Sequence, residues 1–108
     1  MSDFAPESIY RQLLQAGEEW ADKEAAAKIF EENKKTLLAE LMGQVPSDTK
    51  AERERVALAD PAYKLHITNM VTARKEANRA RVRYDSARVL AELRRTQEST
   101  RRIEAYQR

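Results

Sequence analysis

From Ala62 to Arg108 the chain contains neither glycine nor proline. These two residue types interrupt helices most strongly, glycine by about 1 kcal/mol and proline by about 3 kcal/mol relative to alanine. The sequence therefore permits one continuous helix from Pro61 onward, roughly 70 Å long at 1.5 Å per residue. With two glycines and three prolines in the whole chain, too few turn residues are present for a β-sheet protein.

The composition is typical of long helices rather than of a compact core. Ala, Glu, Lys, Leu and Arg make up 59 of the 108 residues, whereas Leu, Ile, Val and Phe together number only 20. The formal net charge of +2 argues against disorder, which also requires a high net charge. Because the chain has no cysteine and one histidine, disulfides, zinc ribbons and cysteine nucleophiles are excluded.

The first helix is expected over about residues 6–42. Pro6 suits the first helical position, where its missing N–H costs nothing, and Gly43 is expected to stop the helix in the C′ position. The loop that follows, at 43–48, is short and therefore favours an antiparallel hairpin.

A short helix over about 49–59 and a long helix over about 61–105 complete the chain. Thr49 and Glu52 have the spacing of a capping box, so the short helix is expected to begin there. Asp60 followed by Pro61 then indicates an N-cap and a first helical residue, with a kink between the two helices. The chain is expected to form a single helical domain over 1–108.

Apolar and alanine residues recur at alternating steps of three and four in both long helices, the heptad seam of a coiled coil. The seam of the first helix consists of Leu13, Ala16, Trp20, Lys23, Ala27, Phe30, Lys34, Leu37 and Leu41. The seam of the second consists of Tyr63, His66, Met70, Ala73, Ala77, Ala80, Tyr84, Ala87 and Ala91. The fold is therefore expected to be all-α, a long antiparallel helical hairpin or coiled coil.

Further apolar residues lie off these seams and need cover. They are Leu14, Ile29, Leu38, Ile67, Val71, Leu90 and Leu93, and the last helix carries an apolar stripe of Val82, Val89, Leu93 and Ile103, interrupted by Ser86, Thr96 and Thr100. Since an isolated two-helix hairpin rarely buries enough apolar area, we expect a homo-oligomer, most simply a dimer forming a helical bundle. A different protein partner explains the same residues less economically. The expected interface residues are Trp20, Phe30, Leu37, Leu41, Tyr63, Met70, Ala77, Leu90 and Leu93.

Charge is divided unevenly along the chain. Residues 1–73 carry 9 basic and 13 acidic side chains, whereas residues 74–108 carry 11 basic and 5 acidic ones. Two arginine series repeat every seven residues, which places each series on one face of a helix: Arg74, Arg81, Arg88, Arg95 and Arg102 form the first, and Arg94, Arg101 and Arg108 the second.

Two interpretations of the arginine series stay open. In the first, the guanidinium groups bind nucleic-acid phosphates, DNA or RNA, while Tyr84 and Tyr106 stack on unpaired bases. In the second, the arginines serve helix pairing alone. They would form i,i+4 pairs, Arg81 with Asp85, Arg88 with Glu92, Arg94 with Glu98 and Glu98 with Arg102, or meet the acidic first helix of a partner chain. That helix offers Glu18, Glu19, Asp22, Glu24, Glu31 and Glu32.

No catalytic or metal-binding motif is visible. The single His66 lies on a seam and is expected to be a packed or hydrogen-bonded structural residue. No set of acid, base and nucleophile can be assembled, so we expect no enzyme, no cofactor and no metal. No run of residues is apolar enough to suggest a membrane partner, and a cytoplasmic setting is expected.

Three tracts resemble small helical proteins of tailed phages and prophages. They are Trp20–Ala27, Met70–Tyr84 and Leu93–Arg102, rich in alanine, arginine and glutamate. Some of those proteins are encoded among DNA replication and recombination genes. The resemblance implies a non-enzymatic accessory to DNA metabolism, and it supplies no motif whose residues have a known role. The leading hypothesis is thus a nucleic-acid-binding accessory protein, and the alternative is a structural or adaptor coiled-coil protein.

Overall fold

A computed structural model describes residues 5–107, and the described part of the chain is all-α. The helices are α1 (Pro6–Gly43), α2 (Lys50–Leu58) and α3 (Pro61–Gln107). The expected all-α class is confirmed, and each expected helix is present with its ends shifted by at most two residues. No helix within residues 5–107 combines the length and the hydropathy of a transmembrane span.

The starts of the helices follow the local sequence. Ala5 precedes α1, and its carbonyl accepts the backbone N–H of Ile9 at 3.1 Å, so Pro6 occupies the first helical position. At the start of α3 the Asp60 carboxylate accepts the backbone N–H of Ala62 at 2.8 Å, as expected for an N-cap before Pro61.

The cap of α2 is half of a capping box. The Thr49 hydroxyl accepts the backbone N–H of Glu52 at 3.4 Å, as the spacing predicts. The reciprocal bond is not made, because the Thr49 N–H donates to the Ser47 hydroxyl at 3.3 Å. The Glu52 carboxylate instead pairs with Arg55 at 2.7 Å. The short helix therefore begins with one side-chain cap.

The end of α1 differs from the expectation for Gly43. This glycine is the last helical residue, and neither described glycine has a positive φ, so the C′ prediction is wrong. The last turn tightens instead, with N–H bonds from Gln44 to the Leu41 carbonyl at 3.1 Å and from Val45 to the Met42 carbonyl at 3.2 Å. Such three-residue bonds satisfy the final carbonyls without a left-handed residue.

The chain divides into two compact units. Unit 1 comprises Met1–Asp22 and Asn78–Arg108, described over 5–22 and 78–107, and unit 2 comprises Lys23–Ala77. Each unit pairs a part of α1 with a part of α3. The buried residues of unit 1 are Ile9, Ala80 and Ala91, and those of unit 2 are Ala27, Leu41, Ala57 and Ala77. These small cores consist mainly of alanine, as the low content of large apolar residues indicates.

The heptad prediction is confirmed by burial. All the seam positions of both long helices, from Leu13 to Leu41 and from Tyr63 to Ala91, are buried or half-buried. In unit 2 the His66 ring packs edge-on against Phe30, with centroids 5.5 Å apart, while Lys23 pairs with Glu76 at 3.5 Å. Because later residues of α3 meet earlier residues of α1, the two segments of unit 2 form an antiparallel hairpin.

Candidate nucleic-acid interface

Arg74, the first arginine of the seven-residue series, is held between two carboxylates of α1. Its Nη2 and Nε lie 2.6 and 3.1 Å from the two Glu31 carboxylate oxygens, and its Nη1 lies 2.7 Å from Glu24. The Arg74 hydrogen bond holds the pKa of the Glu31 carboxyl below its usual range, and the two carboxylates raise the pKa of the guanidinium. Arg74 was expected to contact phosphate, but three of its five N–H donors are already used in helix pairing.

The next two arginines that reach α1 lie in unit 1. Arg83 bonds Glu19 at 2.6 Å, and it is half exposed. Arg81 lies 6.0 Å from the centre of the Trp20 ring, within cation–π range, and 4.0 Å from the Asp85 carboxylate. Glu19, Glu24 and Glu31 of α1 therefore pair with arginines of the same chain, whereas pairing with a partner chain was one of the expectations.

Three of the four expected i,i+4 pairs are formed. Besides Arg81 and Asp85, Arg88 pairs with Glu92 at 3.3 Å and Arg94 pairs with Glu98 at 3.4 Å. The Arg88 pair is exposed and is worth little, since exposed pairs contribute roughly 0–1 kcal/mol. Arg94 is only 19% exposed and continues the seam of α3, so its side chain is poorly placed to meet a polyanion.

Three arginines of the two seven-residue series have no carboxylate partner within the described part of the chain: Arg95, Arg101 and Arg102. All three are exposed. Arg101 and Arg102 lie in the last turns of α3, where every residue from Ser99 to Gln107 is exposed. The fourth expected pair, Glu98 with Arg102, is not formed. Arg108 lies outside the described residues.

The two tyrosines expected to stack on bases have different environments. Tyr84 is half-buried, its ring centroid lies 5.2 Å from that of Trp20, and its edge covers Gly17. It is a packing residue, so the expectation of base stacking at Tyr84 is not supported by its position. Tyr106 is 93% exposed and lies four residues after Arg102. Together, Arg95, Arg101, Arg102 and Tyr106 form what we name the C-terminal basic surface.

Most of the expected interface residues pack within the chain. Trp20, Phe30, Leu37, Leu41, Tyr63, Met70 and Ala77 lie on the buried seams, and Leu90 is half-buried. Leu93 differs, because 57% of it is exposed. Of the residues expected to need cover, Leu14, Ile29 and Val71 are exposed as well, whereas Leu38 and Ile67 are half-buried.

The seam of unit 2 holds the single histidine. His66 Nε2 lies 2.7 Å from the backbone carbonyl of Phe30, so the imidazole N–H donates across the helix pair. A packed, hydrogen-bonded histidine was expected, and its role here is structural. Within residues 5–107, no three His, Asp or Glu side chains come together as around a metal ion.

The sequence analysis did not predict the ion pairs that Arg74 and Arg83 of α3 form with glutamates of α1 in the same chain. A signal for them exists, because both arginines flank the α3 seam and their glutamates flank the α1 seam, where ion pairs between coiled-coil helices form. The stagger of the two helices decides which glutamate each arginine meets, and no local pattern encodes it.

Comparison with known proteins gives no relative: no family model, curated protein sequence or solved structure matches this chain.

Proposed function

We propose that the protein is a non-enzymatic nucleic-acid-binding accessory protein whose contact surface is the C-terminal basic surface. The observation that carries the proposal is the contrast among the arginines. The earlier members of the two seven-residue series contact carboxylates or Trp20, whereas Arg95, Arg101 and Arg102 have no acidic partner within residues 5–107. Unpaired guanidinium groups on an exposed helix end offer phosphate-binding forks at little desolvation cost.

The chemistry favours the phosphate backbone over the bases. Arg95 and Arg102 are seven residues apart on one face, roughly 10.5 Å along the helix, with Arg101 beside them. Such contacts read no sequence, and they depend strongly on salt. Tyr106 supplies an exposed ring on which an unpaired base could stack, so single strands are the preferred substrate class. The resemblance to small phage proteins supports a role in DNA replication or recombination and a cytoplasmic setting.

Anisotropy of labelled single- and double-stranded oligonucleotides over a salt series tests this proposal. Replacing Arg95, Arg101 and Arg102 with Gln should reduce the affinity and flatten the salt dependence. The slope of log K against log salt should fall by about 0.7–0.9 for each lost phosphate contact. A Tyr106→Ala variant should weaken binding to single strands more than to duplexes.

The matched control removes three exposed cations from unit 2, through Lys28→Gln, Lys35→Gln and Lys50→Gln. It lowers the net charge by the same amount but leaves the C-terminal basic surface intact. Equal loss of affinity in both triple variants would show binding by net charge alone. Absence of binding by the parent protein at physiological salt would refute the proposal.

A structural or adaptor role is the second candidate, and a separate observation favours it. Arg74 and Arg83 of α3 bond glutamates of α1, and these ion pairs support a role of the arginines in helix pairing. In this role the protein would present helix faces to other proteins and would bind no nucleic acid. The same anisotropy titration separates the two candidates.

A further inference from the structure

The apolar stripe of α3 forms a second heptad seam that residues 5–107 do not cover. Its residues, from Val82 through Ser86, Val89, Leu93, Thr96 and Thr100 to Ile103, follow steps of four and three without interruption. Val82, Val89, Leu93 and Ile103 are 64%, 47%, 57% and 58% exposed. No charged residue occupies a stripe position. This spacing is the one that a partner helix requires for knobs-into-holes packing.

One of the polar residues in the apolar stripe behaves as an apolar one. The Thr96 hydroxyl donates to the backbone carbonyl of Glu92 at 3.1 Å. Because this bond satisfies the hydroxyl within its own helix, Thr96 can present its methyl group to a partner without losing a hydrogen bond. The uncovered seam therefore continues between Leu93 and Ile103.

We propose that the occupant of the apolar stripe is the same stripe of a second copy of this chain, packed antiparallel. The charges that flank the stripe are complementary in this direction. Arg83 follows Val82 at the start of the stripe, and Glu104 follows Ile103 at its end, on the same side of the stripe. Antiparallel packing therefore brings the Arg83 of each copy close to the Glu104 of the other. Arg83 already bonds Glu19, and a second carboxylate would repeat what Arg74 does with two glutamates. Parallel copies align no opposite charges on the flanks.

The antiparallel register also matches large side chains with small ones. When Leu93 faces Thr96 of the second copy, Val89 faces Thr100 and Ile103 faces Ser86, because the heptad positions alternate between the chains. On the other flank Glu92 then faces Ser99. A register shifted by one heptad would place Glu92 against Glu92, which is unfavourable.

This dimer uses a different face of α3 from the proposed contacts of the arginines with phosphate. At 100° per residue, Arg101 and Arg102 lie on the side of the helix opposite Thr100 and Ile103, whereas Tyr106 lies at the edge of the stripe. The phosphate contacts and the dimer are therefore independent. Loss of oligonucleotide binding says nothing against the dimer, and a monomeric protein says nothing against phosphate binding.

Sedimentation equilibrium of the full chain over a wide concentration range tests for the second copy. The parent should show a reversible monomer–dimer equilibrium. Leu93→Glu should raise the dissociation constant by at least about tenfold, since both copies lose a buried leucine. Ile29→Glu is the matched control, because Ile29 is also 57% exposed but lies on α1, and it should leave the constant unchanged. Circular dichroism confirms that both variants remain helical.

Disulfide trapping tests the direction, since the chain has no natural cysteine. A mixture of Val89→Cys and Thr100→Cys chains should give mainly the mixed disulfide under mild oxidation. Neither variant alone should cross-link efficiently, because identical positions lie far apart in antiparallel copies. Efficient cross-linking of Thr100→Cys alone would overturn the antiparallel arrangement. A parent that stays monomeric at all concentrations, or an equal effect of Ile29→Glu and Leu93→Glu, would overturn the dimer itself.

Discussion

Residues of one type at one spacing have different roles in this protein. Arg74 and Arg102 belong to the same seven-residue series, yet Arg74 bonds two glutamates and Arg102 has no acidic partner within residues 5–107. The difference arises from the opposite helix, since Glu24 and Glu31 face Arg74 across unit 2. The periodicity predicts the face on which an arginine lies, but the partner on that face decides what the arginine does.

Replacing Arg74 with Gln should lower the thermal midpoint near neutral pH, and the difference from the parent should shrink in acid. Because Arg74 lowers the pKa of Glu31 in the folded state, the stabilisation is complete above the ordinary pKa of a glutamate. It is lost as the pH falls through the lowered pKa of the folded state. Circular dichroism melts from neutral to acidic pH measure the difference.

Arg79→Gln is the control for this experiment, because Arg79 is an exposed arginine of the same helix with no carboxylate partner among residues 5–107. Its midpoint should follow that of the parent at every pH. A difference between parent and Arg74→Gln that does not change with pH would contradict the role assigned to Glu31.

At the scale of the helices, most helix starts and buried faces can be predicted from the sequence. The Asp60–Pro61 start, the Thr49 cap and the heptad seams are encoded within a few residues of where they act. The end of α1 could not be predicted in the same way. Gly43 could equally follow the helix in a left-handed conformation or be its last right-handed residue. A single glycine in sequence does not distinguish these two outcomes.

Gly17→Ala should stabilise the protein by about 0.5–1 kcal/mol, although Gly17 lies inside a helix pair. A Cβ at this position would lie 3.5 Å from the Tyr84 ring, an ordinary van der Waals contact. The gain comes from the lower backbone entropy of alanine in the unfolded chain. Urea unfolding measures it. Gly43→Ala meets nothing within 4 Å and, at the last helical position, should have a smaller effect. Destabilisation by Gly17→Ala would contradict this packing.

At the scale of the whole molecule, the sequence predicted the fold class but not the distribution of contacts. Counting the large apolar residues in the sequence predicts that the chain cannot bury all of them in a core of its own. In the structure, Leu93, Val82 and Ile103 are indeed exposed. Which glutamate of α1 each arginine of α3 meets depends on the stagger between these distant segments. The sequence alone therefore did not distinguish Arg74, which bonds α1, from Arg95, Arg101 and Arg102, which have no carboxylate partner within residues 5–107.

Amide hydrogen exchange should show a steep gradient along α3. The amides of Ser99–Gln107, where every side chain is exposed, should exchange close to the unfolded rate in protein dilute enough to be monomeric. Amides near Ala77 and Ala80, which are almost fully buried, should be the slowest of the helix. Equal protection of both segments in monomeric protein would contradict this picture of a helix stabilised by packing rather than by propensity.

The packing of Trp20 against Tyr84 gives the protein an optical property. Trp20 is the only tryptophan, and its indole Nε1 is buried, next to the Tyr84 ring and the Arg81 guanidinium. Selective excitation of tryptophan therefore reports on unit 1 alone, whereas the far-ultraviolet dichroism of the helices reports on both units. Separation of these segments of α1 and α3 should shift the emission to longer wavelength as water reaches the indole. The fluorescence of Trp20 is thus an intrinsic probe of whether the α1 and α3 segments of unit 1 are packed together.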